Sequence, residues 1–392
     1  MFPSSQGSFL SRLVNTAGAK RLQTVGVIFL AILLRLSLLS HETSDYRDFI
    51  SPWYDYIQNN GGFWALGDNF SNYTPPYLYL LAIATALPFP KLIAIKLLTF
   101  PFEGLCGFWI YRLLRLHYPL GPLPRLGALT FSFAPTVVLN GAYWGQCDIL
   151  YTTGLVGCLY YLSLSQPIGV IVCLGLAIAF KQQALWFLPV IGILILKRQF
   201  PWWSLAGLPV IYALAMVPAG LAGRPWQELE TIYFQQVNTY RYLTLNAPNL
   251  YQWLPNEGYA LFFPLGLLLA LGVVIGLMAG VIAQKQAINA SQLLQLSLIF
   301  LVLIPYCLPK MHDRYFFAAD VFALIYSFRF PLYFWVGLAI NGMSLLAYFP
   351  FLVGLEIVPL KMLAVLFVAV IAGLLHHYHQ STLQGHIDQV NR

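Results

Sequence analysis

The chain predicts an all-α polytopic membrane protein, on three observations. Hydrophobic residues make up 59% of its 392 positions and charged residues only 9%, with a mean hydropathy of +0.70, which sets it apart from soluble globular chains. The apolar residues fall in repeated runs of helix length, not in short segments of alternating polarity, which favours a helical bundle over an outer-membrane barrel. No charged or Pro/Ser-rich linker separates these runs, so residues 1–392 read as a single membrane-embedded domain.

The elements follow in order. A short tail with Arg12, Lys20 and Arg21 belongs in the cytoplasm by the positive-inside rule. Residues 22–40 have full spanning length without a small-residue cleavage site, so they read as a first span and not a removed signal peptide. Arg35, toward the outer end of this span, is expected to snorkel or to face a polar cavity. Residues 41–76 then lie outside. The next run, 76–89, is short for a span, and a full crossing would place Arg112, Arg115 and Arg125 outside. It therefore reads as an outer re-entrant or interfacial helix. Further spans are expected at 92–111, 124–141, 149–165, 168–180, 183–196, 203–222, 258–283, 292–308, 315–330, 331–350 and 358–375, about twelve in all (11–13), with both termini inside. Lys181-Gln182-Gln183 divides two short runs and marks a broken helix lining a cavity. On this map Lys197, Arg198, Lys285 and Arg329 fall inside, whereas the polar stretches 143–148, 223–257 and 309–314 fall outside. No internal repeat of the kind seen in inverted-repeat transporters is visible.

Charge and cysteine usage exclude other classes. The net charge of +7 and pI near 9.1 arise from basic residues dispersed at the ends of apolar runs, so they signal topology and no nucleic-acid partner. Cys106, Cys147, Cys158, Cys173 and Cys307 lack CxxC or ligand spacing, so neither a disulfide framework nor a metal site is indicated, and Cys147 alone is expected in an exposed loop. His376, His377, His379 and His386 read as a solvated inner tail.

The chemistry-bearing residues concentrate in the outer stretches. Residues 41–76 hold Glu42, Asp45, Asp48, Asp55 and Asp68 out of 14 acidic residues in the chain. Asp55 and Asp68 read as solvated loop carboxylates. Asp45 and Asp48 directly follow a span, among Tyr46, Phe49, Trp53 and Tyr54, and share a face if the segment is helical. A carboxylate at the mouth of a membrane cavity can take a proton from an acceptor hydroxyl. Pro75 and Pro76 make a rigid corner after Tyr73. In Tyr143-Trp144-Gly145-Gln146-Cys147-Asp148, Trp144 and Gln146 offer a stacking face and an amide to a sugar ring, and Asp148 either caps the next span or joins the site. Lys310, His312 and Arg314 place three potential cations within five residues, suited to a phosphate and helped by Lys181 and Arg241. The aromatic and amide residues of 223–257, Tyr240 and Asn249 among them, suit a carbohydrate surface or an interfacial helix.

These motifs in this order, Asp45-Tyr46, Tyr73-Thr74-Pro75-Pro76, Tyr143 to Asp148, Phe180-Lys181-Gln182-Gln183 and Lys310 to Phe316, resemble the type C multispanning glycosyltransferases. The chain is most similar to bacterial relatives of the mannosyltransferase that adds the second mannose to glycosylphosphatidylinositol, and more distantly to the dolichyl-phosphate-glucose glucosyltransferases. The resemblance implies transfer of a hexose, mannose above all, from a polyprenyl-phosphate donor to a lipid or glycan acceptor. It places the reaction on the outer face of a bacterial inner membrane, with inversion and an aspartate base. Asp45 matches the catalytic position, with Asp48 in reserve; Lys310, His312 and Arg314 match the donor-phosphate stretch, and Trp53, Tyr73, Trp144, Gln146 and Asp148 stand as sugar and acceptor contacts. Fixed cations can neutralise the leaving phosphate, so metal independence and no cofactor are expected. A transporter or flippase of a lipid-linked sugar is the alternative, since it too needs a polar cavity and broken helices; a non-catalytic assembly subunit is a third reading, disfavoured by the paired acidic and basic clusters.

Overall fold

A computed structural model describes residues 17–237 and 239–390. Arg12 lies outside the described residues, as do the side chains of Lys20 and His386. The fold is helical almost throughout: α1 Ala17–Leu36, α2 Ser51–Asn59, α3 Pro75–Thr85, α4 Lys91–Leu97, α5 Phe100–His117, α6 Leu123–Phe133, α7 Pro135–Val138, α8 Asp148–Ser163, α9 Pro167–Phe180, α10 Leu188–Leu196, α11 Ser204–Leu221, α12 Trp226–Val237, α13 Tyr259–Ala283, α14 Ala290–Cys307, α15 Phe317–Arg329, α16 Phe334–Val353 and α17 Leu360–Val390. Among the described residues, six helical stretches are long and apolar enough to cross a bilayer: Lys91–His117, Ser204–Leu221, Asn256–Ala283, Ala290–Cys307, Pro331–Val353 and Leu360–Gln384. Of the other expected crossings, 22–40 falls largely on α1, a helix of 20 residues, and the rest are shorter or interrupted.

Proline placement explains much of the interruption. Pro52, Pro75, Pro101, Pro124, Pro135, Pro167 and Pro189 each sit in the first two residues of a helix, where the missing N–H costs nothing. The residue before proline is pushed toward extended backbone, as at Thr74 (ψ 147°) and Ala134 (ψ 123°). The run expected as one span at 124–141 therefore divides into α6, α7 and a π-helical segment, Leu139–Trp144. Likewise, 76–89 is the short helix α3.

Helix α14 lies at the centre and is buried along its whole length. At its start, Asn289 and Gln292 form a reciprocal capping box, and Gln292 reaches Thr382 on α17. Arg329 donates to Ser291 at the same end, at 2.6 Å. At its other end, Cys307 O accepts from Tyr251 at 2.7 Å and Leu308 O from Asn249 at 3.2 Å. Eighteen residues of helix separate these ends by about 27 Å. Of the residues expected inside, Lys197 and Arg329 gather with the capping-box end: Lys197 donates to Gln284 O, and the Gln284 side chain accepts from Tyr378. The stretches expected outside gather at the other, hereafter the site end.

Three expectations are corrected by packing. Arg35 neither snorkels nor faces a polar cavity; it is buried in an ion pair with Glu103 on α5, beside a largely apolar cavity, and also donates to Ser132 O at 2.8 Å. Cys147 is buried, and all five cysteines are free thiols. His377 is no solvated tail residue, since its ring stacks on Tyr333 at 3.7 Å and meets Tyr326 and Gln295 in the helix interface.

Close helix approach sets a testable constraint. A Cβ on Gly154 of α8 would lie 2.7 Å from Cys173 O and 2.8 Å from Ala177 Cβ on α9, and a backbone oxygen cannot swing aside. Gly154→Ala is expected to destabilise the protein by about 1–3 kcal/mol, as overpacking does, seen as a lower melting temperature in detergent. Gly272→Ala on α13, where nothing lies within 4 Å, is expected to leave the melting temperature unchanged or slightly raised.

Candidate active site

Two π-helical turns deliver the central residues. Asp45 immediately precedes the π turn Tyr46–Ile50, and Trp144 ends the π turn Leu139–Trp144. The latter closes at Gly145, whose φ of 83° suits glycine and turns the chain toward Gln146. Such single wide turns insert a residue and re-aim the side chains beyond them. Lys96 on α4 holds both segments: its buried ammonium donates to His41 O at 2.6 Å and Tyr143 O at 2.8 Å, while Thr43 donates to Trp144 O at 3.0 Å.

Asp45 Oδ2 consequently receives the Trp144 indole N–H at 3.0 Å and the Gln146 amide at 2.6 Å. Arg314 Nη1 stands 3.6 Å from the same oxygen. The guanidinium also faces a second carboxylate, with Nε 3.8 Å from Asp148 Oδ2. It lies over the Trp144 ring at 5.4 Å, within cation–π range. Asp148 is fully buried, accepts from Lys181 Nζ at 2.5 Å and from Asn140 at 2.9 Å, and opens helix α8. Removing one member of a buried pair of this kind costs about 3–5 kcal/mol, because a charge is left without a partner.

Lys181 reaches this position because the chain is broken there, as the sequence indicates. Its backbone is extended (φ −151°, ψ 139°) between α9 and a 3₁₀ segment, Gln182–Phe187, that leads into α10. The freed Phe180 carbonyl accepts from Thr74 at 2.9 Å, so the corner before α3 and the break in α9 are tied together. Tyr73, beside that corner, packs its ring 5.1 Å from both Trp53 and Tyr77 and has Lys181 over its face at 5.6 Å.

The fourth wall comes from strand pairing. Thr244–Leu245 runs parallel to Met311–His312, and Lys310 N donates to Leu243 O at 2.8 Å. Lys310 takes a left-handed backbone (φ 66°), a strained conformation for a non-glycine residue that this pairing holds in place. Its ammonium donates to Val237 O and lies over Phe263 at 5.3 Å.

Together these segments enclose a cavity of about 610 Å³ lined by Asp45, Trp53, Tyr73, Gln146, Lys181, Lys310, His312 and Arg314, and by apolar residues such as Phe263 and Leu267. Eight of the twelve residues singled out in the sequence thus share one cavity. Trp144 and Asp148 lie behind its wall and do not line it: the indole is fully buried as a donor to Asp45 and is no stacking face for a sugar. Asp48 is exposed and outside the cavity, which leaves Asp45 as the carboxylate facing it. Arg241 is exposed and also outside. His312 lines the cavity between Tyr240 and Tyr315, but burial and the neighbouring cations Arg314 and Lys181 hold its pKa well below the usual imidazole range. These surroundings favour its neutral, hydrogen-bonding form over the cation. Asp55 and Asp68 do behave as loop carboxylates, paired with Lys91 at 2.7 Å and Tyr56 at 2.8 Å. Lys96 and the amides Asn72 and Gln183 are site residues without an assigned role in the sequence reading, although a lysine inside an apolar run is itself a functional signal; Tyr240, from the stretch suited to a carbohydrate surface or an interfacial helix, lines the cavity. Among the described residues no group of three or more His, Cys, Asp or Glu could hold a metal.

Comparison with known proteins finds no matching family model and no curated relative of the chain.

Asp313 gives the site a pH signature. Burial pushes its carboxyl up to about 7, against the opposing pull of Arg314. The unfolded chain releases this proton near pH 3.8, so between about 4 and 7 the folded state holds the extra proton and stability falls as pH rises. Above about 7 that contribution is flat. Asp313→Asn is expected to be more stable than wild type at pH 8 and to lose the decline between pH 4.5 and 7, measured as melting temperature against pH.

Proposed function

We propose that the protein is an integral membrane hexosyltransferase that moves a sugar, mannose by resemblance, from a polyprenyl-phosphate donor to a lipid or glycan hydroxyl. The observation that carries this reading is Asp45: a carboxylate at a cavity wall, oriented by Trp144 and Gln146 and set 3.6 Å from Arg314, in a space with both cationic and apolar walls. A sugar attached to a lipid phosphate needs both kinds of wall. No nucleotide-binding domain is required for such a donor.

The chemistry balances on these groups. The acceptor hydroxyl attacks the anomeric carbon opposite the phosphate and its proton passes to Asp45; the carbon–oxygen bond to phosphate breaks with both electrons leaving on the phosphate. Displacement on one face gives inversion. Arg314 supports the leaving group: it is shared between two carboxylates at 3.6 and 3.8 Å, and its Nε has no hydrogen-bond partner. A phosphate offers that guanidinium a better, bidentate site, and drawing Arg314 away from Asp45 frees the carboxylate to act as base once donor is bound. Lys310 adds a second cation, and the pair can neutralise the phosphate without a metal.

The broken helix at Lys181 also fits a transporter for a lipid-linked sugar. The gathering of acid and base at one end favours the transferase, since a transport site is expected near the middle of the bilayer.

Purified protein incubated with polyprenyl-phosphate hexoses and a lipid extract in EDTA is expected to transfer hexose. Asp45→Asn should lower the rate by about 10²–10⁴, the usual range for a lost general base, while Asp48→Asn retains it. Donor binding without transfer in wild type would favour transport.

A further inference from the structure

Three amides line the cavity, and their buried side-chain oxygens have no protein donor: Asn72 Oδ1, Gln146 Oε1 and Gln183 Oε1. Gln146 and Gln183 are 2% and 3% exposed. A buried amide oxygen without a partner is costly, so three of them on residues that line one cavity point to a ligand that brings its own donors. Carboxylates and phosphates bring none, and an isoprenoid chain brings no polar group at all. A sugar ring brings several hydroxyls, each a donor and an acceptor.

Their places in the chain are set by the surrounding structure. Gln146 has committed its NH₂ to Asp45 at 2.6 Å, which turns its oxygen away from the base. The main chain at Asn72 is held by Gln236, whose amide donates to the Asn72 backbone carbonyl at 2.5 Å. Gln183 sits in the 3₁₀ segment of the helix break, two residues after Lys181. Trp53 and Tyr73 pack against each other in the wall of the same cavity and supply apolar ring faces of the kind sugars stack on.

We infer that Asn72, Gln146 and Gln183 form a hydroxyl-reading subsite for a neutral hexose ring in the same cavity as Asp45. The inference rests on the transferase reading and deepens it: the cations hold the phosphate, and the amides select the sugar. A site that hydrogen-bonds a ring hydroxyl rejects a ligand lacking it, because its own buried groups are then left unpaired.

The test measures binding to purified protein in nanodiscs with three probes: bare polyprenyl phosphate, polyprenyl-phosphate mannose and methyl mannoside. Wild type is expected to bind the mannose-bearing lipid at least tenfold more tightly than the bare lipid. Gln183→Met is expected to remove that preference while leaving the bare lipid bound as before. Asn72→Ala, at a less buried position that is safer for folding, is expected to reduce the preference about tenfold. If both variants instead keep the lipid preference but lose binding of methyl mannoside, the subsite holds the acceptor's sugar, and the inference stands with that occupant. Unchanged sugar binding by both variants would overturn it. Failure of wild type to bind bare polyprenyl phosphate would count against the transferase reading itself, a different outcome from loss of sugar preference.

Discussion

Arg314 placed between two carboxylates is the constraint on which the rest of this structure depends. Asp45, Asp148, Lys181 and Arg314 form a buried or half-buried set of two negative and two positive groups. Each would be costly alone in an apolar protein, and the set is tolerable only because it is paired and hydrogen-bonded. Its members come from four distant parts of the chain. Folding must therefore bring the loop after α1, the start of α8, the break between α9 and α10, and the turn before α15 to one place.

Local structure supplies that convergence. The prolines shorten helices so that loops end at the site, and the π turns aim Asp45 and Trp144 inward. Lys96 clamps the two loops through their carbonyls, and Thr74 bonds the carbonyl that the helix break leaves open. The short parallel pairing of 244–245 with 311–312 closes the cavity from the far side. What is left unsatisfied, Arg314 Nε and the amide oxygens of Asn72, Gln146 and Gln183, belongs to residues that line this one cavity.

Much of this was legible in the sequence, for definite reasons. Composition settles the helical membrane class, because long apolar runs cannot be placed otherwise. Lys181-Gln182-Gln183 announced the helix break, since a lysine between two apolar runs needs both a cavity and a partner. Segregation of Lys197 and Arg329 from Asp45 and Arg314 was readable as topology. What sequence could not resolve was pairing at a distance. Trp144 reads as a sugar platform, yet its N–H goes to Asp45; His312 reads as a potential cation, yet it is buried beside Arg314; and Arg35 reads as a snorkelling or cavity-facing residue because its partner Glu103 lies 68 residues away. The continuous apolar pattern at 124–141 hid the break at Pro135, where backbone sterics override hydropathy.

The most direct test of the central claim, that Asp45 and Arg314 divide the roles of base and phosphate anchor in one cavity, is an experimental structure of Asp45→Asn with a polyprenyl-phosphate hexose bound. The account predicts the phosphate against Arg314 and Lys310, the isoprenoid chain passing along Phe263 and Leu267, and the anomeric carbon facing residue 45 with room for an acceptor hydroxyl between. A donor bound away from this cavity, or one whose phosphate leaves Arg314 on its two carboxylates, would contradict it.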